Sequence, residues 1–417
     1  MKLAAIVAEY NPFHNGHLYQ LEEIRRRGST HVAVVMSGNV VQRSEVACFY
    51  KRTRARAAIL CGADLVIELP AVYACASAER FADGAVKTLA GLGLPGTLWF
   101  GSECGDLEAL QACAGALKQV DGSPELREYL NRGYSFANAR GRALSDICGP
   151  ETAAILQQPN NTLAVEYIKA IERSGAPFAP ATIQRIGAAH DSMSPVGYTA
   201  SATLIRQTAQ LYGIRQTAPY VPAAAYSLYR HDYALKQGGA SMYELDPVIL
   251  YHLRTLSPEQ FAALPDVQEG LEYRFWDAAH QAASLEELLM RVKSKRYALS
   301  RIKRILMYAM LGITREVAAL EPGYIRVLAF NERGREILKA AKKNGELPVY
   351  HSFARLERDF PVRAEKEALA SHLFCAALPR PHGGFSEYRD PRPVFVASAA
   401  GEVSAGVSPA PEREDLF

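Results

Sequence analysis

Ala4-Ala5-Ile6-Val7-Ala8-Glu9-Tyr10-Asn11-Pro12-Phe13-His14-Asn15-Gly16-His17 carries an apolar run straight into a polar turn with two histidines around a glycine. The apolar run reads as a strand, and Leu18, Leu21 and Ile24 at helical spacing read as a helix that starts near His17. A strand, a glycine-bearing turn and a helix start bring backbone N–H groups to one point, where Gly16 lets the chain approach a ligand closely. His14 and His17, three apart, then face a nucleotide's phosphates together. Imidazole donors and backbone amides stabilise charge that grows on phosphoryl oxygens and on a leaving pyrophosphate, with no covalent intermediate. A lone His-x-Gly-His more often caps a helix. Its place at the end of the first strand of an α/β pattern makes phosphate binding the expected role.

Outward from that turn, the pattern to about residue 105 alternates strands at 3–8, 31–36, 65–69 and 97–100 with helices at 18–27, 51–61 and 76–92, which implies a parallel sheet. Ligands of such sheets sit at the carboxyl ends of the strands, so the loops 9–17, 37–45, 68–73 and 101–106 are expected to wall one pocket. Residues 107–180 read as mainly helical, with Gln157-Gln158-Pro159-Asn160-Asn161 restarting a helix. A further strand is expected at 181–186. Beyond it, Thr199-Ala200-Ser201-Ala202-Thr203-Leu204-Ile205-Arg206 sets hydroxyls and an arginine at a helix start, a second natural phosphate site. The expected organisation is a Rossmann-like parallel-sheet domain over 1–220, a mainly helical C-terminal domain over 221–397 with a strand at 325–330, and a disordered tail over 398–417, where little can pack.

The chain has 417 residues, 49% of them hydrophobic, and a formal net charge of only +3, so a basic partner site must be sought in local clusters. Seven cysteines, at 48, 61, 75, 104, 113, 148 and 375, form no Cys-x-x-Cys pair or zinc spacing, and no metal-ligating set is expected. They read as thiols of a reducing cytoplasm. Met1-Lys2-Leu3 leads into a strand rather than a signal peptide, and no run of about 18 apolar residues suits a bilayer. A cytoplasmic protein with no membrane contact is expected.

The His-x-Gly-His turn and the segment ending in Ile205-Arg206 are similar to the two signatures of the nucleotidylyltransferase superfamily. A closer resemblance runs through Glu9–His17 by number 9–17, Met36-Ser37-Gly38 with Gln42-Arg43, Asp64-Leu65-Val66-Ile67-Glu68-Leu69-Pro70, Phe100-Gly101-Ser102-Glu103 and Pro159-Asn160-Asn161. These look like the bacterial tRNA(Met) cytidine acetate ligase family. The resemblance implies that ATP activates acetate as acetyl-adenylate, with Mg²⁺, and that the acetyl group passes to the exocyclic amine of the wobble cytidine of elongator tRNA(Met). It implies an ATP site made of Val7, Ala8, Glu9, Tyr10, Asn11, Pro12, Phe13, His14, Asn15, Gly16, His17, Leu18, Tyr19 and Gln20, with Gly101, Asn160, Asn161, Arg185, Ile186, Ser201, Thr203 and Arg206. His14, His17 and Arg206 take the catalytic, charge-bearing roles. Ala189 stands where an aromatic residue is expected before His190-Asp191, and Ser44 where a glycine is expected after Gln42-Arg43. The first departure leaves the role of His190 and Asp191 open, and the second bears only on the conformation of that loop. Glu9 and Asp191 are the carboxylates considered for taking the proton of the cytidine amine.

The stretch 291–304, Arg-Val-Lys-Ser-Lys-Arg-Tyr-Ala-Leu-Ser-Arg-Ile-Lys-Arg, holds no acidic residue. Read as a helix with Val292, Leu299, Ile302 and Ile305 inward, it offers Lys293, Lys295, Arg296, Arg301 and Arg304 to tRNA phosphates and Tyr297 for stacking. A second cluster, Lys51-Arg52-Thr53-Arg54-Ala55-Arg56, opens a helix near the pocket, within reach of the triphosphate or the RNA. Two other functions fit fewer of these features. A nucleotidylyltransferase acting on a small phosphorylated metabolite leaves 291–304 without work, and an RNA-binding protein with a lapsed nucleotide domain leaves both phosphate signatures without work.

Overall fold

Alternate residues of the apolar strands point into two different cores. Leu3, Ala5, Ala33, Val35, Leu65 and Ile67 pack on one side of the sheet, and Ala4, Ile6, Val32, Val34, Met36 and Val66 on the other. A strand covered by helices on both faces must be apolar throughout, which is why these segments read as continuous runs rather than as alternations. The computed structural model describes residues 1–186, 194–268, 270–294, 296–381, 387–388 and 392–397. His190, Asp191, Lys295 and the tail 398–417 lie outside the described residues.

The strands are β1 (Leu3–Ala8), β2 (His31–Ser37), β3 (Val40–Val41), β4 (Glu45–Val46), β5 (Leu65–Leu69), β6 (Gly96–Ser102), β7 (Phe178–Gln184), β8 (Ile325–Phe330), β9 (Val349–Tyr350) and β10 (Val394–Phe395). The main sheet runs β10-β8-β5-β2-β1-β6-β7, with β9 beside β8, while β3 and β4 form a separate small hairpin. β5, β2, β1, β6 and β7 are mutually parallel. The chain moves outward from β1 through β2 to β5 in one direction and through β6 to β7 in the other. β1 and β6 therefore flank the switch point, where the carboxyl ends of an open sheet diverge and leave a crevice.

The sheet does not end with the N-terminal strands. β8, expected within a separate C-terminal unit, pairs antiparallel with β5. β5 is buried along its whole length, so its outer edge needs a partner, and Ile325-Arg326-Val327-Leu328-Ala329-Phe330 supplies one. The expected boundary near residue 221 thus separates segments that share one sheet. The helices Asp246–Arg254, Leu271–Gln281 and Leu299–Leu311 pack into the same core as β1 and β5.

Two local expectations are corrected. β7 spans Phe178–Gln184, so Arg185 and Ile186 leave its carboxyl end instead of lying within it. The basic stretch is not one helix: Leu285–Val292 ends at Lys293, and the next helix starts at Leu299. Tyr297 turns into the core at that break.

Candidate active site

His14 is the N-cap of the helix Asn15–Arg26, and with His17 it closes a reciprocal capping box. The Gly16 N–H donates to His14 Nδ1 at 3.1 Å, and the His14 N–H donates to His17 Nδ1 at 3.2 Å. A ring nitrogen that accepts carries no proton, so both neutral imidazoles are the Nε2–H tautomer. The two rings stack at 3.8 Å between centroids. Capping and phosphate binding are therefore not competing roles: the cap uses Nδ1 and fixes the tautomer that makes Nε2 a donor. Gly16 lets the His14 ring lie close: a Cβ there would stand 3.0 Å from His14 Cε1 and 3.1 Å from Nδ1, so the ring would have to give by a few tenths of an ångström.

The turn is held from several sides. Tyr10, at φ 46°, packs its ring edge-on to Phe13 and His17, each at 4.8 Å between centroids. The Asn15 amide donates to the carbonyls of Tyr198 (2.7 Å) and Pro219 (2.9 Å). Phe13 is fully buried, and its N–H donates to the Tyr229 hydroxyl at 3.1 Å.

A cavity of about 190 Å³ opens over this turn at the switch point. Of the expected nucleotide residues it is lined by Val7, Ala8, Glu9, Tyr10, Asn11, His14, Gly16, His17, Tyr19, Gln20, Gly101, Asn160, Arg185 and Ile186. Pro12, Thr203 and Arg206 face a second cavity instead. Phe13, Asn15, Leu18, Asn161 and Ser201 line neither. Arg206 donates to the Asn11 carbonyl at 2.8 Å, so it braces the histidine turn from behind. The Ser201 hydroxyl accepts the Leu204 N–H at 3.0 Å and caps the helix Ala202–Tyr212.

On the β6 side, Asn161 and Glu103 bind each other's backbones. Asn161 Oδ1 accepts the N–H of Glu103 (2.9 Å) and Cys104 (3.2 Å), while the Glu103 carboxylate accepts the N–H of Asn161 (2.8 Å) and the Asn160 side-chain amide (2.6 Å). That pairing explains the two short motifs together and leaves Asn160 toward the cavity. Gly101 admits Arg185, whose Cγ would be 3.3 Å from a Cβ there. Burial lowers the Arg185 pKa, against the pull of Glu103. Such a desolvated cation favours an anionic ligand.

Glu9 faces the cavity and accepts the Gln42 N–H at 2.6 Å. Burial pushes its carboxyl above the ordinary carboxylate range, against the Gln42 N–H and the guanidiniums of Arg206, Arg43 and Arg54. Gln42, Arg43, Leu163 and Tyr167 also line the cavity and were not among the expected site residues. The loop position after β2 was the available signal for the first two. Ser44, in the place of an expected glycine, takes φ 57°, the left-handed conformation that a glycine adopts without strain.

Within the cluster 51–56, Lys51, Arg52 and Arg54 are buried and held by groups of the protein, while Arg56 is exposed. Lys51 is buried between Glu68 (2.5 Å) and Glu387 (2.6 Å). Arg54, fully buried, donates to the carbonyls of Phe49 (2.9 Å), Glu9 (2.5 Å), Ser37 (3.1 Å) and Gly38. It ties the ends of β1 and β2 together beneath the cavity. In the other basic stretch, Arg301 donates to the Asp266 carbonyl at 2.9 Å, Arg304 pairs with the Asp266 carboxylate at 2.9 Å, and Arg291 pairs with Glu287 at 2.7 Å. Lys293 and Arg296 are exposed. Among the described residues no cluster of three or more His, Cys, Asp or Glu side chains is placed to hold a metal ion.

The model of the HIGH nucleotidyl transferase family matches residues 1–382. The tRNA(Met) cytidine acetate ligase of Caldanaerobacter subterraneus subsp. tengcongensis is 42% identical over 361 residues, 85% of this chain and 90% of its own length. That of Thermoanaerobacter sp. is 41% identical over 385 residues, 90% of this chain and 96% of its own. The crystal structure of Thermotoga maritima TmcAL bound with alpha-thio ATP superposes with a TM-score of 0.87 at 30% identity, covering 95% of this chain and all of that one. The apo form of that protein gives 0.89 at 32% identity, also over 95% of this chain. Identity at this level, across most of both partners and with the same fold, fixes the assignment: the chain belongs to the tRNA(Met) cytidine acetate ligase family, within the HIGH nucleotidyl transferases.

Proposed function

We propose that this protein activates acetate with ATP and transfers the acetyl group to the wobble cytidine of elongator tRNA(Met). The observation that carries the reading is the capped histidine pair at the switch-point cavity, in a chain 42% identical to a protein of that name. In the first step an acetate oxygen attacks the α-phosphorus of ATP in line, a P–O bond forms, and pyrophosphate leaves with the electron pair of the broken P–O bond. The Nε2–H groups of His14 and His17, with Arg185, bear the charge that develops, and Arg206 keeps the turn that carries them in place. Mg²⁺, if it accompanied ATP, would add charge neutralisation on the phosphates to that of these side chains.

In the second step the cytidine N4 attacks the acetyl carbonyl, AMP leaves and one proton is released. An exocyclic amine is a weak nucleophile, so holding it against the mixed anhydride supplies most of the rate. The base must be splayed out of its stack to reach the cavity. We assign the amine proton to Glu9, which faces the cavity and whose carboxyl burial pushes above the ordinary carboxylate range.

Incubation of the purified protein with radiolabelled acetate and unmodified elongator tRNA(Met) tests the reading. Label is expected in the wobble cytidine only when ATP is present. Pyrophosphate release that needs a phosphorylated metabolite and ignores acetate would instead mark a metabolite nucleotidylyltransferase. Gly16→Ala is expected to crowd the His14 ring out of its acceptor position and to lower acetate-dependent pyrophosphate release by roughly tenfold, since a misplacement of this size weakens charge stabilisation. Steady-state kinetics at saturating acetate would check it, and an unchanged rate would show that the ring position does not matter.

A further inference from the structure

Between residues 202 and 241 the chain carries four cations, Arg206, Arg215, Arg230 and Lys236, together with His231, against one acid, Asp232. Asp232 is already engaged, accepting from the Thr53 hydroxyl at 2.6 Å. The helix Ala223–Ala234 buries Ala225 and Tyr229, and the Tyr229 hydroxyl accepts the Phe13 N–H, so its inner face is fixed to the histidine turn. Its outer face presents Ser227, Arg230 and His231 to solvent. Arg215, from the turn Ile214–Tyr220, reaches the same place, and these groups rim a groove of about 510 Å³. The turn is itself fixed to the active site, because Asn15 donates to the Pro219 carbonyl at 2.9 Å.

Among the described residues neither Arg215 nor Arg230 has an acidic partner or a side-chain hydrogen bond. The contrast with 291–304 is plain, since Arg291, Arg301, Lys303 and Arg304 are all held by groups of the protein. Exposed guanidiniums without a carboxylate are matched in geometry and charge to phosphate oxygens. Ile214 and Tyr233 wall both this groove and the second cavity, about 620 Å³, which holds Arg206 and Lys303. That cavity also holds Glu45, which pairs with Lys303 at 3.0 Å, together with Glu244 and Glu286, so the cations without an acid are those at the outer groove, and Arg206 stands beyond them at the back of the histidine turn. Tyr212, 73% exposed and two residues before the groove's Ile214 in the chain, offers a ring on which an unpaired base can stack.

We propose that this groove grips the sugar–phosphate backbone of the tRNA, with Arg215 and Arg230 each on a phosphate, and so leads the strand toward Arg206. The proposal rests on the reading of the protein as one that acts on tRNA. The double variant R215A/R230A, made in the full chain, tests it against unmodified elongator tRNA(Met) by filter binding from 50 to 200 mM KCl, with acetate-dependent ATP–pyrophosphate exchange measured alongside. Loss of two phosphate contacts should lower the magnitude of the salt slope by about 1.5 and weaken binding about tenfold or more near 0.1 M salt. Exchange should stay at the wild-type level, which also shows that the variant is folded. Wild-type affinity and slope in R215A/R230A, with the loss appearing in K293A/R296A instead, would overturn the groove alone. A wild-type protein that binds no tRNA would overturn the tRNA reading and the groove with it.

Discussion

His17→Asn is expected to keep the fold and lose roughly 10²–10³-fold in the rate of acetate-dependent pyrophosphate release, the usual loss when one preorganised donor to developing charge is removed. The choice of asparagine follows from which ring nitrogen does what. His17 Nδ1 accepts the His14 N–H, and an asparagine Oδ1 occupies nearly the same position and accepts equally well. What asparagine lacks is the donor at the far side of the ring, Nε2–H. The substitution thus separates the cap from the chemistry. His17→Ala removes both, and should lose the rate and also about 0.5–2 kcal/mol of stability, the ordinary value of an N-terminal capping interaction. Thermal melts of the two variants, run beside exchange assays, distinguish the roles. Full activity in His17→Asn would mean that the histidine serves the helix and not the phosphates.

That test goes to the feature the sequence displays most openly. A β1 of small and branched apolar residues, a glycine and two histidines three apart are all local, and local pattern is what a sequence carries on its face. The position of the turn at a switch point is not local. It depends on β6 pairing beside β1 while β2 pairs on the other side. The same distinction explains the misread cations. Lys51, Arg52 and Arg54 stand together at a helix start and look solvated or phosphate-directed. Their partners are Glu68, Glu387, the Arg392 carbonyl, the nearby Phe49 carbonyl, and the carbonyls of Glu9, Ser37 and Gly38 at the ends of β1 and β2, most of them far off in the chain. Likewise Arg304 and Lys303 meet Asp266 and Glu45 only after folding. A charge run is legible as charge; whether it faces water is decided by residues far away in the sequence. β8 shows a partial exception, since a lone Arg326 inside an apolar strand signals a buried acid opposite, and Glu68 on β5 is that acid.

Arg326→Met is expected to destabilise the protein by about 3–5 kcal/mol, because it strands buried carboxylates without their cation. Arg326 pairs with Glu68 at 3.0 Å and with Glu387, and Lys51 bridges the same two acids, all four being essentially excluded from water. Burial alone would raise the Glu387 carboxyl, but the charges of Arg326 and Lys51 hold it below the usual carboxylate range. Two cations and two anions balance, which leaves a third acid, Glu367, in excess. Burial, reinforced by the charge of Glu68, pushes Glu367 up to about 8. An acid whose folded pKa is raised favours folding fully below its unfolded value, near 4.5, and that contribution is lost as pH rises through about 8. Wild-type stability should therefore fall from pH 5 to pH 9 on account of this group, whereas Glu367→Gln, which can never ionise, should match the wild type near pH 5 and exceed it at pH 9. Urea titrations at those two values decide it; parallel behaviour of the two proteins would mean that Glu367 carries no excess proton. The network also reaches the active site. The Asn39 side chain accepts the Lys51 N–H at 3.0 Å and donates to Ser371 at 2.9 Å, and Gly38 lies so close to Glu68 that a Cβ would sit 2.5 Å from its Oε1. The loop after β2, whose Gln42 N–H holds Glu9, is thereby seated on this charge cluster. Arg326→Met should weaken ATP binding as well as the fold, while Glu367→Gln should leave ATP binding unchanged at pH 7, where Glu367 is already mostly neutral.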